Sequence, residues 1–322
     1  MENIQNIDVK KYEACVNPTE RLRSNQCESH KRQASKSDIR IPRLLRYPGG
    51  KGRLLRSLQS FLPLKENISE RYVDPFVGGA SIFFFLKPQR ALLSDINPDL
   101  IDLYVILRDY PSETWDRYCQ MPDGREGYYH VRSSDPSTLD PQSRAARLLY
   151  LNRTCFKGMW RHNKKGQFNI GYGGESRRWV VNEFEILEVS RLLNSADIEC
   201  TDFEEIINRT DSFDFLFLDP PYRPGDKEMR NAHYVGQEFT YADQSRLALA
   251  LERASSRDVP WVMTNSAHPD IMGLYQGNSA AAMSIGTGPL PGILSKSGGE
   301  VVIFNDIAAT RYFLSECSVS IL

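Results

Sequence analysis

Apolar residues in this chain fall into short runs separated by stretches of helical period. RYVDPFVGG (71–79), RALLSDIN (90–97), DIECTDF (197–203), FDFLFLDPPY (213–222), VPWVMTNS (259–266) and EVVIFN (300–305) each read as a buried strand. Between them, ASIFFFLKP (80–88) predicts a helix that stops at proline. NPDLIDLYVILRD (97–109) predicts one capped by Asn97 with Pro98 at its first position, and ADQSRLALALERASSR (242–257) predicts a third. Strands alternating with helices predict an α/β fold, a parallel sheet with crossover helices. The stretch 112–195 is rich in Tyr, Trp, Arg and Gly and interrupts that alternation, so it reads as an inserted second domain. The expected divisions are a polar, flexible tail at 1–40, the sheet domain in two parts at 41–111 and 196–322, and the insertion at 112–195.

Composition narrows the class. Hydrophobic content of 41% and charged content of 25% are ordinary for a globular chain. No apolar run approaches a membrane span, and the N-terminus lacks the apolar core of a secretory signal. The 6 cysteines show no C-x-x-C pair, which argues against a zinc site or a disulfide framework and fits a reducing cytosol. The formal net charge of −1 does not by itself suggest a nucleic-acid partner, so the distribution of charge matters more.

Three motifs suggest ligand binding. RYPGGKGRLL (46–55) lacks the glycine spacing and the Ser or Thr of a Walker loop. It reads either as a tight turn that lets Tyr47 and Lys51 reach a ligand or as a plain helix entry. VDPFVGGAS (73–81) runs from a strand through a glycine turn into a helix, the way α/β sheets bind nucleosides, although a simple strand–helix turn has the same pattern. Asp95, at the tip of the second strand, is placed to accept hydrogen bonds from ribose hydroxyls, and equally to complement the next helix dipole.

Positive charge is concentrated in the insertion. Arg144, Arg147, Arg153, Lys157, Arg161, Lys164, Lys165, Arg177 and Arg178 fall in a stretch whose acid is Glu175. Phe156, Trp160, Phe168, Tyr172 and Trp179 interleave with them. This pattern predicts a phosphate-backbone partner in preference to a mixed solvated face.

The DPPY stretch has its own chemical logic. An exocyclic amine on an aromatic ring is a poor nucleophile because its lone pair is delocalised. The Asp219 carboxylate and the Pro220 carbonyl could each accept one of its hydrogens and favour a more tetrahedral nitrogen. Pro220 and Pro221 hold that geometry through their fixed φ, and Tyr222 offers a ring for a base to stack on. Such a base must first leave the duplex. The plain alternative is a strand that ends in a turn.

Taken in order, RYPGGK, DPFVGGAS, SDIN, NRTCFKGMWRHNKKGQFN, TDF, DPPY and FTYADQ make the chain from about residue 42 onward resemble the Dam-type (D12 class, alpha group) DNA adenine methyltransferases. The resemblance implies a Rossmann-like, S-adenosyl-L-methionine-dependent methyltransferase domain with an inserted, mainly helical DNA target-recognition domain. It implies methylation of a flipped adenine at N6 in a short duplex site, GATC or a variant, by direct transfer without a metal. Tyr47, Lys51, Asp74, Phe76, Gly78, Asp95, Asp202, Phe203 and Asp219 would contact or border the methyl donor. Asp219, Pro220, Pro221 and Tyr222 would hold the target base. Arg153, Lys157, Arg161, Asn163, Lys164 and Lys165 would meet DNA, with Arg161 reading a guanine edge. The partner is double-stranded DNA, with a cognate restriction nuclease possible but not required. The location is cytoplasmic and DNA-associated, in a bacterium or a phage-infected cell.

The chain departs from the family pattern at four places. Lys157 stands where Asn is usual, Gly171 where Pro is, and Ala80 where Gly is common. An arginine often found before ILSKSGGEVVIFN is absent. A catalytically silent DNA-binding relative, or an N-methyltransferase acting on RNA or protein, are the rival readings.

Overall fold

The computed structural model describes residues 41–47, 50–163, 166–174, 181–222, 239–282 and 300–313. The expected tail at 1–40 and the residues Lys164, Lys165, Arg177, Arg178 and Trp179 lie outside them.

A seven-stranded sheet forms the centre, in the order β3-β2-β1-β4-β5-β7-β6. β1 (Tyr72–Asp74), β2 (Ala91–Ser94), β3 (Ala196–Glu199), β4 (Phe215–Leu218) and β5 (Trp261–Ser266) pair in parallel, with Tyr72 opposite both Ala91 and Phe215. β4 is buried at every position, as a strand covered on both faces must be. Arg71 and Asp214 clamp the starts of β1 and β4 with two hydrogen bonds, at 2.9 and 2.8 Å.

Two features of the sheet differ from expectation. β7 (Glu300–Phe304) runs antiparallel to both β5 and β6, so the sheet is mixed at this edge. Antiparallel neighbours need no crossover helix, and a buried apolar run reads the same in either direction. β6 (Ser279–Ala282) has small residues without β-branching, so its composition gave no strand signal.

The helices follow the chain. α1 (Ser81–Leu86) ends where Lys87 turns left-handed ahead of Pro88. α2 (Pro98–Asp109) is capped as expected, with the Asn97 side chain accepting from the N–H groups of Asp99 and Leu100. α3 (Pro111–Cys119), α4 (Gly124–Ser133), α5 (Pro141–Thr154) and α6 (Glu183–Leu193) occupy the 112–195 stretch. Two antiparallel bridges lie between α5 and α6, Cys155 with Tyr172 and His162 with Phe168. α7 (Phe203–Asn208) begins where a strand end was expected, because Asp202 turns the chain and caps it by accepting the Glu204 N–H at 3.0 Å. α8 (Tyr241–Ser255) starts at Thr240, which forms a capping box with Asp243. α9 (Pro269–Leu274) follows β5.

One hydrophobic cluster runs from Tyr72 and Phe83 under the sheet to Trp115, Tyr128, Leu149, Trp160 and Phe168. The expected insertion therefore shares its core with the sheet layer. Trp160 and Phe168 were expected to interleave with phosphate contacts, but both are buried in this core.

The strand order reverses between β1 and β4, and in open α/β sheets ligands bind at such a switch point, beyond the carboxyl ends of the strands. Asp74 ends β1, Asp95 follows β2 and Asp219 follows β4, so the fold brings these three carboxylates to one edge.

Two family departures carry a backbone signature. Ala80 has φ 54° and Lys157 has φ 58°. The left-handed region costs a residue with a Cβ roughly 1–2 kcal/mol, and glycine or asparagine much less. Lys157 is exposed, and its ammonium lies 5.3 Å from the centre of the exposed Phe156 ring, so its replacement disturbs no buried packing. Lys157→Asn should raise unfolding free energy by roughly 1 kcal/mol in urea titration. An unchanged or lowered midpoint would show that this backbone carries no strain.

Candidate active site

The segment before α1 is docked by α5. Asn152, fully buried, accepts the Arg46 N–H at 2.9 Å and donates to the Arg46 carbonyl at 2.9 Å. A turn follows, closed by the Gly50 N–H on the Tyr47 carbonyl at 3.0 Å. Tyr47 then lies against the glycine turn after β1. A Cβ at Gly78, whose φ is +45°, would meet the Tyr47 ring at 2.9 Å. Glycine is therefore required at 78 for both its backbone and its space.

Lys51 is delivered to Asp219. Its Nζ lies 2.8 Å from Asp219 Oδ1 and 3.0 Å from Glu300 Oε1, and 4.7 Å from the centre of the Tyr222 ring. The Thr264 hydroxyl, on β5, donates to the same Asp219 Oδ1 at 2.7 Å. The Tyr222 hydroxyl donates to Glu300 Oε1 at 2.5 Å. Burial pushes the Asp219 carboxyl up against the opposing pull of Lys51 and Thr264. Burial alone would lower Lys51, but the two carboxylates outweigh it and hold the ammonium above its ordinary range. Burial also pushes the Tyr222 hydroxyl up, so it stays a donor. Both partners of Asp219 among the described residues use Oδ1, which leaves Oδ2 for an incoming N–H. Lys51 was expected at the methyl donor. The structure places its ammonium in the DPPY cluster, beside Asp219, Glu300 and Tyr222.

The other acids line the same edge. Asp74 accepts the Tyr72 hydroxyl at 2.8 Å and the Phe76 N–H at 3.1 Å. Asp95 accepts the Gly78 N–H at 3.1 Å on Oδ2 and the Asn97 N–H at 3.0 Å on Oδ1. These bonds use only part of a carboxylate's capacity of about four acceptor positions, so each oxygen can still take a hydroxyl. Acceptors of this kind suit the hydroxyls of a ribose diol. Beyond β3, Phe76 and Phe203 stack with ring centres 5.3 Å apart, and Phe239 meets Phe76 edge-on at 5.8 Å. Arg246 sits 4.3 Å over the Phe203 ring and binds both Asp202 oxygens, at 3.1 and 3.0 Å. Asp202 is thus occupied by Arg246 and by the cap of α7.

The basic residues divide into two groups. Arg161 and Asn163 are exposed on the antiparallel segment that follows α5, and Lys157 precedes them. Arg161 Nε donates to Asn169 Oδ1 at 3.0 Å. Asn163 closes the turn by accepting the Gln167 N–H at 3.0 Å. Arg153, expected on DNA, is only 2% exposed, and burial lowers its guanidinium to about 10. A side chain so enclosed is not presented to a phosphate. Arg147 donates inward to the Val131 and Arg132 carbonyls, at 3.0 and 2.9 Å, and Arg144 pairs with Asp102 at 2.7 Å. Counting basic residues overestimated the surface charge because sequence does not distinguish an inward arginine from an outward one.

Sequence reasoning missed Thr264, Glu300, Asn152, Tyr104, Arg246 and Gln244 as parts of this edge. Tyr104, fully buried on α2, donates to the Gly78 carbonyl at 2.7 Å. Thr264 and Glu300 carried a usable signal, since each lies in an apolar strand where a polar residue needs a partner.

The profile described as D12 class N6 adenine-specific DNA methyltransferase matches residues 47–286. The type II methyltransferase M.MjaIII of Methanocaldococcus jannaschii is 31% identical over 258 residues, covering 74% of this chain and 89% of that protein. The type II methyltransferase M1.LlaDCHI of Lactococcus lactis is 33% identical over 249 residues, 75% of this chain and 87% of the relative. A DNA adenine methylase of Vibrio cholerae is 31% identical over 240 residues, 72% and 84% respectively.

Burial pushes the Asp74 carboxyl up to about 7, against the Tyr72 and Phe76 hydrogen bonds, and pushes Asp95 up to about 6. A carboxyl raised in the folded state keeps its proton at a pH where the unfolded chain has lost it. Its ionisation therefore removes stability as pH rises from about 4 to about 7. Asp74→Asn lacks that titration. Its stability relative to the wild type should improve between about pH 5 and pH 8, read from urea midpoints at each pH. A constant difference would contradict a raised Asp74.

Proposed function

Because this chain belongs to the D12 class of N6 adenine-specific DNA methyltransferases and is an enzyme of DNA adenine methylation, we propose that its chemistry takes place at Asp219–Tyr222. The donor we infer is S-adenosyl-L-methionine. The substrate is an adenine turned out of a short duplex site, GATC or a variant. The observation that carries the reading is the Asp219 carboxylate at the strand tip, held on Oδ1 by Lys51 and Thr264.

In this reading Asp219 Oδ2 and the Pro220 carbonyl accept the two hydrogens of the adenine amine. That draws the nitrogen lone pair out of the ring and aims it along the path of transfer. Tyr222, tied to Glu300, presents its ring to the base, a contact of about 1–3 kcal/mol. Two carboxylates facing one ammonium leave the pocket with a formal charge of −1, which suits the positive charge carried by a transferring methyl group. The nitrogen gains a methyl and loses one proton, and Asp219 is the acceptor at hand. Asp95, the Gly78 turn and the Phe76–Phe203 stack would hold the nucleoside part of the donor, with Asp74 beneath the turn. When bound, S-adenosyl-L-methionine would supply the methyl group as its carbon–sulfur bond breaks, its sulfur leaving as a neutral thioether. Positioning both partners could account for roughly 7–11 kcal/mol of the barrier.

The 112–195 insertion is the part proposed to recognise the target. Arg161, exposed and steadied at Nε by Asn169, suits bidentate reading of a guanine edge. Lys157, Asn163, Lys164 and Lys165 are proposed as its DNA-facing company. A restriction nuclease is a permitted companion, as the type II names of two relatives suggest for those proteins. The reading places the enzyme with DNA in the cytoplasm.

Asp219→Ala should lower transfer of labelled methyl from S-adenosyl-L-methionine to unmodified duplex DNA by more than about 100-fold, with DNA affinity largely kept. A near wild-type rate would remove Asp219 from the mechanism. Arg161→Ala should lose about 1–3 kcal/mol of discrimination at one base pair, seen by mapping methylated adenines. A uniform loss over all sequences would mark Arg161 as a phosphate contact.

A further inference from the structure

Pro220 and Pro221 have no backbone N–H, so the turn after β4 cannot be pinned by its own amides at these positions. It can be held there only as an acceptor. Gln244, in the opening turns of α8, supplies the donor. Its side chain is 1% exposed, and its Nε2 donates to the Pro221 carbonyl at 2.9 Å. Its Oε1 accepts from Asn265 Nδ2 at 3.2 Å, and Asn265 Oδ1 accepts the Ser266 N–H at 2.8 Å. The partners fix both amide orientations. A carbonyl only accepts and a main-chain N–H only donates, so each nitrogen must face the way it does. A buried, one-directional chain of hydrogen bonds thus runs from the tip of β5 through α8 to the DPPY turn.

We propose that Gln244 is a positioning residue for methyl transfer, holding the Pro221 carbonyl so that the Pro220 carbonyl and the Tyr222 ring stay aimed at the adenine. The inference rests on the reading that residues 219–222 receive that base. Asp219 is fixed on one side by Thr264 and Lys51. The Pro221 carbonyl is fixed on the other by Gln244. Both φ angles between these points are locked by pyrrolidine rings. The peptide plane carrying the Pro220 oxygen therefore has little freedom left, and removal of the Gln244 donor restores it. FTYADQ thereby acquires a role, with Thr240 and Asp243 starting the helix and Gln244 using it as a rigid mount.

The test is steady-state kinetics of Gln244→Leu, Gln244→Glu and Asp219→Ala on duplex DNA from about pH 6 to pH 8.5, with folding checked by circular dichroism at each pH. Gln244→Leu should lower kcat by about 10- to 100-fold, while KM for S-adenosyl-L-methionine stays within about twofold. Gln244→Glu is the decisive variant. Its protonated acid keeps an O–H for Pro221 and an oxygen for Asn265, whereas its ionised form faces the carbonyl with no donor. Burial raises the pKa of such a carboxyl, so the ratio of variant to wild-type kcat should fall by at least about 10-fold as pH rises. A purely structural glutamine would change the folded fraction but not this ratio among folded molecules. A flat ratio, or a Leu variant within twofold of wild-type kcat, overturns the proposal. If Gln244→Leu does not fold, the Glu ratio decides alone. Asp219→Ala separates the two levels. If it transfers methyl at the wild-type rate, the base-pocket reading fails. If it is inactive while both Gln244 variants behave as wild type, only the Gln244 inference fails.

Discussion

A carboxylate at the end of a buried apolar strand must be compensated, and most of this edge is arranged around that requirement. Asp219 follows four buried residues of β4. Unpaired, its charge would be far too costly to leave there. Lys51 answers it, and the same ammonium also reaches a second acid. Glu300 provides that acid and holds the Tyr222 hydroxyl as well. The N-terminal turn, the β4 tip, β5 and β7 are thereby brought to one point. Removing Lys51 would leave two carboxylates without their cation, and removing Glu300 would take away the acceptor of the Tyr222 hydroxyl, so the pocket should behave as a unit.

The positions of these groups were partly legible in the sequence. Acids at strand tips, the glycine turn and DPPY all announce a carboxyl-edge site, because such residues have no good reason to interrupt an apolar run. The Asn97 cap was legible for the same local reason, and the structure shows it. That Thr264 and Glu300 need partners was legible, but not which groups they meet. Thr264, Glu300 and Gln244 reach the site only through the sheet order and the seating of α8, and no local pattern encodes a contact across such separations. Lys51 shows the limit most clearly. Its motif marked it as a ligand contact, yet what it touches depends on where Asn152 docks the preceding segment.

The insertion teaches a similar lesson about charge. Its arginines suggested a uniform basic face. Arg144, Arg147 and Arg153 are instead spent on the fold, satisfying helix-end carbonyls, pairing with an acid or lying enclosed. Among the described residues the outward members of the basic set are Lys157 and Arg161, the latter supported by Asn169. The shared hydrophobic core ties this segment to the sheet.

The central claim is that the amine of an extrahelical adenine is held by Asp219 and the Pro220 carbonyl, with Lys51 remaining on Asp219 Oδ1. A crystal structure with cognate duplex DNA and a non-reactive donor analogue tests it most directly. The account predicts the adenine N6 within hydrogen-bonding distance, about 3 Å, of both Asp219 Oδ2 and the Pro220 oxygen, beside the Tyr222 ring. A target adenine whose N6 lies away from Asp219 when both substrates are bound would contradict it.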